Sequence, residues 1–189
     1  EKLSLKMRLV KYCPGTTKCG SLGQRTIKRT ALFGKNRLNL EYMKTGKQII
    51  FLSLIAFVLH IVWENMQAPL FQGYASFVAH FPMCAVGTVG DVVITLFVYF
   101  IIALLKNDFN WIAALNKKDI VILAVVGFLI AVGIEWRALL FGRWAYIGAM
   151  PILPYLKVGL TPVIQMTFLL PLSVYFTKII IAHKNGDKK

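Results

Sequence analysis

Beyond residue 47 the chain carries only six acidic side chains, and three of them, Glu64, Asp91 and Glu135, fall within or beside long apolar runs. Their neighbours are residue types that donate, accept or shuttle protons. His60 lies four residues before Glu64, His80 four before Cys84, and Thr161 four before Gln165. On a helix such pairs share a face. Thr88, Asp91 and Thr95 are three and four residues apart, which puts a hydroxyl one turn to either side of the carboxylate. Arg137 stands two residues after Glu135, and Arg143 follows in a Gly-Arg-Trp-Ala-Tyr segment. Three chemistries come into view: cation or solute binding by carboxylates, acid/base catalysis by Asp91 or Glu135, and divalent metal ligation by the acids with His60, His80 and Cys84.

The metal reading lacks a signature. Neither H-E-x-x-H nor the paired Glu and Glu-x-x-His motifs of di-metal bundles are present, so no metal site is expected and any cofactor stays undefined. Ser53, Ser76 and Ser173 lack a G-x-S-x-G setting, which argues against hydrolase chemistry of that kind. Cys13 and Cys19 have no second ligand pair and do not read as a zinc site.

These side chains need elements to hold them, and the composition says what those elements are. Hydrophobic residues make up 57% of the 189-residue chain and charged residues 16%, far from the balance of a soluble domain. A bilayer core of about 30 Å takes roughly 20 apolar residues per helix. Four stretches qualify, at 48–66, 80–106, 120–140 and 158–183, the last with Pro162 near its start and Pro171 inside it. The expected fold is an all-α, four-helix transmembrane bundle.

The basic residues orient it. Lys44, Lys47, Lys106, Lys117, Lys118, Lys178, Lys184, Lys188 and Lys189 cluster before span one, between spans two and three, and after span four. The connection between spans one and two has none. The positive-inside rule then predicts both termini in the cytoplasm. Arg137, Arg143 and Lys157 break the bias. With this topology His60, Glu64, Asp91, Glu135, Arg137 and Gln165 all fall in the outer half of the bundle, and an outward-facing polar pocket is expected there. A buried ionisable group costs at least about 2.5–3.5 kcal/mol at mid-bilayer, so these groups are expected to pair, with Arg137 neutralising a carboxylate. The competing expectation puts Glu64 and Glu135 at headgroup level and makes Asp91 the N-cap of a helix broken at Gly87 and Gly90. Trp144 and Tyr146 fit an aromatic belt, with Arg143 at lipid phosphate or on a lid over the pocket.

Residues 1–47 hold 12 of the 22 basic residues and 2 of the 8 acids, with no apolar period. Residues 1–42 are expected to be a basic leader, disordered or outside the native protein, with Met43 reading as a start and 43–189 forming the four-span domain. No nucleic-acid partner is expected.

Five segments taken together carry a resemblance: Trp63-Glu64-Asn65-x-Gln67-x-Pro69-Leu70, Gly90-Asp91-Val92, Ile134-Glu135, Gly142-Arg143-Trp144-Ala145-Tyr146 and Gly159-Leu160-Thr161-Pro162. In this order, from about Met43 to the end of span four, they resemble a group of small four-helix integral membrane proteins of bacteria with no activity attached to them. The resemblance implies the span count and Glu64, Asp91, Glu135 and Arg143 as a set, and no reaction. Three functions fit: binding or transport of a small polar or cationic solute, in an oligomer because four spans are few; an enzyme acting on a lipid-linked substrate at the outer interface, with arginine on its phosphate; and a non-catalytic assembly subunit whose polar groups are interhelical glue.

Overall fold

The computed structural model describes residues 45–186, with side chains through His183. The leader expected over 1–42 lies outside the described residues. Helix α1 runs over 45–67 and tightens into a 3-10 turn at Ala68–Leu70. Helix α2 is Phe77–Lys106, α3 is Lys117–Leu140 and α4 is Leu160–Gly186. A short 3-10 helix, Trp111–Ala114, sits between α2 and α3. The architecture is an all-α bundle in which all four helices are long and apolar enough to cross a membrane. Among the described residues the only β pairings are two isolated bridges.

Local chemistry sets the helix ends. Ser76 caps α2 by accepting the Ala79 N–H. Asn107, left-handed at φ 51°, ends that helix, and the Asp108 N–H returns to the Ala103 carbonyl. Asn116 and Asp119 form a reciprocal capping box at the start of α3, and Lys106 reaches Asp119 at 2.6 Å. Gly142, at φ 59°, closes α3 as its position predicts: the Arg143 N–H bonds the Ala138 carbonyl and the Gly142 N–H that of Leu139. Pro82 and Pro171 sit inside continuous helices. The expected break before Asp91 does not occur. Gly87 and Gly90 stay helical, and Asp91 lies in the middle of α2 rather than at its cap.

The connections sort to the two ends of the bundle. At one end the α1–α2 connection meets the α3–α4 loop: Phe71 pairs with Tyr146, the Gln72 N–H bonds the Ala145 carbonyl, and the Ile147 N–H bonds that of Leu70. At the other end Tyr99 stacks on Trp111 at 5.9 Å, Gln48 donates to Asn110, and Lys178 donates to the Leu115 carbonyl at 2.9 Å. The apolar core, with Leu52, Ile112, Leu123 and Leu170, continues inward from that second end. Helices α3 and α4 cross closely at Gly127, where a Cβ would lie 2.4 Å from the Met166 carbonyl oxygen. Large apolar side chains such as Val86, Leu104 and Leu129 face outward, as suits helices whose solvent is lipid.

Candidate functional site

Three helices bring polar side chains to one point. His60 and Glu64 come from α1, Asp91 from the middle of α2 and Gln165 from the second turn of α4. The hub is the Gln165 amide nitrogen. It donates to Glu64 Oε1 at 2.9 Å and to Asp91 Oδ2 at 2.8 Å, and lies 3.1 Å from His60 Nδ1. An amide nitrogen has two hydrogens, and the carboxylates take both. His60 Nδ1, 3.1 Å from Asp91 Oδ2, therefore donates its own hydrogen to that oxygen. The other face of Gln165 is held as well, because Gln67 Nε2 donates to its Oε1 at 2.7 Å. The cluster is deeply placed: His60 is 0% exposed, Gln165 2% and the Asp91 side chain 16%.

Several polar atoms around this point have no partner. His60 Nε2, Gln67 Oε1 and Thr88 Oγ1 are buried without a hydrogen bond, as is Thr95 Oγ1 one turn beyond Asp91. Unsatisfied buried groups are rare and costly. Gly87 packs against the Glu64 carboxyl, whose nearest atoms would lie 3.6 Å from a Cβ there, an ordinary van der Waals contact. Cys84, one turn earlier on α2, directs its thiol to the Glu64 carbonyl at 3.7 Å. His80, one turn before Cys84 on the same helix, packs its ring against Tyr74.

Glu135 belongs to a different arrangement. It is 3% exposed and takes hydrogen bonds from two side chains of the α3–α4 loop, Tyr146 Oη and, at 3.3 Å, Trp144 Nε1. The Tyr146 hydroxyl accepts in turn from the Gly159 N–H at 3.0 Å. Burial, then the bond to Glu135, pushes the Tyr146 phenol above its ordinary value. Trp144 and Tyr146 thus turn their polar atoms inward to a carboxylate rather than outward to headgroups. Phe71 packs edge-on to both rings and ties the clasp to the α1–α2 connection.

The arginines go elsewhere. Arg137 is exposed and lies over the Phe141 ring at 5.9 Å. It neutralises neither Glu64 nor Asp91, whose partners are His60 and Gln165, nor Glu135, whose partners are Tyr146 and Trp144. The helix explains this: residues two apart stand about 200° apart around the axis, so Arg137 leaves the bundle where Glu135 enters it. Arg143 is exposed at the end of α3. Gln67, Trp144 and Tyr146 were not candidates on sequence grounds. Gln67 had a usable signal, its i,i+3 spacing from Glu64.

Among the described residues no group of three or more His, Cys, Asp or Glu side chains has the arrangement of a metal site. The His60, Glu64, Asp91, Gln165 cluster can hold a proton or accept hydrogen bonds from a small cation, since two carboxylates from different helices meet in it. Comparison with protein-family models, with curated proteins and with solved structures finds no match to this chain.

Proposed function

We propose that this chain is a multi-pass protein of the cell membrane that binds, and as an oligomer conducts or carries, a small cationic or polar solute at the Glu64–Asp91 cluster. One observation carries the reading: two carboxylates from different helices converge on a single amide nitrogen inside an apolar bundle, with unpartnered buried polar atoms beside them. Two nearby anions in a low dielectric repel each other, and a cation offsets that repulsion. Gln67 Oε1, Thr88 Oγ1 and the carboxylate oxygens supply the acceptors that an ammonium-like group or a dehydrated alkali ion uses. Basic residues gather at the end opposite the cluster, and by the positive-inside rule that favours both termini in the cytoplasm and the cluster in the outer half of the bundle.

The test is thermal stability of the purified protein in lipid nanodiscs, titrated with alkali ions, ammonium and methylammonium. The expected result is saturable stabilisation by at least one of them, lost in Asp91→Asn and weakened in Glu64→Gln. If the native chain responds to every cation as the Asp91→Asn, Glu64→Gln double variant does, the proposal fails. The closed bonding between Gln165 and its partners also suits an assembly subunit. Under that reading Asp91→Asn lowers stability, and there is no cation response to lose.

A further inference from the structure

Arg137, Arg143 and Lys157 go against the charge bias of the other connections, and the polar cluster uses none of them. Lys157 stands at a groove. The C-terminal turn of α3 and the turn after Pro154 flank a shallow, open groove lined by Trp136, Leu139, Leu140, Leu156 and Lys157, and its surface is mostly apolar. The Trp136 indole N–H is already taken, donating to the Leu156 carbonyl at 2.7 Å. That bond locks the turn onto α3. The turn is also closed on itself, with the Lys157 N–H to the Leu153 carbonyl at 2.8 Å and the Leu153 N–H to that of Val158 at 2.9 Å. Lys157 itself sits in the left-handed region at φ 54°, so a fixed backbone presents its side chain at the rim.

We propose that this groove binds one anionic phospholipid, with an acyl chain along Leu139, Leu140 and Leu156 and the headgroup phosphate at the Lys157 ammonium. The charge argues for it. Among the described residues Lys157 has no ion pair, and the segment from Phe141 to Gly159 contains no acidic residue that could supply one. The depth agrees too. The groove lies at the end of a helix of membrane-spanning length, where apolar chain gives way to phosphate and where a lysine stem can lie on apolar surface with its ammonium among headgroups. Tyr155, 98% exposed two residues before Lys157, is a ring suited to that boundary. The groove's apolar lining takes a chain, and its one free charge takes an anion.

The test uses quenching of tryptophan fluorescence by brominated lipid in zwitterionic bilayers, with the Trp136 contribution defined as what Trp136→Phe removes. Brominated anionic lipid is expected to half-quench that component at a mole fraction at least threefold lower than brominated zwitterionic lipid does. Lys157→Gln is expected to abolish the difference, Lys157→Arg to keep it, and Lys118→Gln at the opposite end to leave it unchanged. Should Trp136→Phe unfold the protein, lipid retained by the native chain and by Lys157→Gln is compared by native mass spectrometry, with the same threefold preference expected and lost. Equal behaviour of the two lipids, or a preference that survives Lys157→Gln, overturns the proposal. So does a preference that Lys118→Gln removes equally, since that reports only the overall charge.

Discussion

Gln165 bonds to groups from two other helices, so its replacement tests how much of the bundle depends on one amide. Gln165→Leu takes one donor from each of two carboxylates, leaving Asp91 with His60, and removes the acceptor of Gln67. Hydrogen bonds to charged groups contribute about 1.5–3 kcal/mol each, and a loss of at least that size is expected in equilibrium unfolding in detergent. Tyr146 gives a pH test of the second cluster. Its phenol ionises less readily in the folded chain than the ordinary value of 10.0, because of burial and then the bond to Glu135. The folded state therefore holds that proton more tightly, and the contribution is whole below about pH 10 and fades as pH rises toward the folded value. Melting temperatures between pH 9 and 11 should fall less steeply in Tyr146→Phe than in the native chain; parallel slopes would remove Tyr146 from the account. At this scale the sequence was legible where spacing carried the information. The i,i+4 pairs put His60 beside Glu64, and depth along the spans put Asp91 and Gln165 at their level. Glu135 was not legible in the same way, because its partners sit in a loop whose backbone path no periodicity encodes.

Among the elements, the tightest constraint is the crossing of α3 and α4. Gly127 is buried there against backbone, and backbone cannot swing aside as a side chain does. Gly127→Ala should push the two helices apart and cost about 1–3 kcal/mol in unfolding free energy, whereas Gly133→Ala, with nothing within 4 Å, should not. A Gly127→Ala chain as stable as the native one would mean that the helices do not cross there. The four helices were legible from apolar run length, and their ends differ by three residues or fewer from the expected ones. Run length does not encode caps, which explains the early starts: Ser76 and the Asn116–Asp119 box begin α2 and α3 three residues ahead of their apolar stretches. The continuity of α2 through Pro82, Gly87 and Gly90 also had no local signal. Contacts with α1 line this stretch, the Cys84 thiol at the Glu64 carbonyl and Asp91 at His60, and no periodicity in the sequence encodes them.

For the whole molecule, the arrangement of connections makes a claim about sides. The α1–α2 connection and the α3–α4 loop share one end, and the Asn107–Asn116 connection lies at the other. Single cysteines at Ser76 and Arg143, in a background without Cys13, Cys19 and Cys84, should react with an impermeant reagent from the same side of the membrane. A cysteine at Lys117 should react only from the opposite side, and the proposed orientation makes that side the cytoplasm. Labelling of Ser76 and Arg143 from different sides would dissolve the shared end and the polar cluster near it.

The backbone seam joining the Leu70–Gln72 stretch to Ala145–Ile147 has a mechanical consequence. It sews the first helical hairpin to the second at the end nearest the acids, so the two halves cannot swing apart there without tearing main-chain bonds. A solute reaching Asp91 from that side would enter through the turning of a few side chains, and the scaffold around it would stay still.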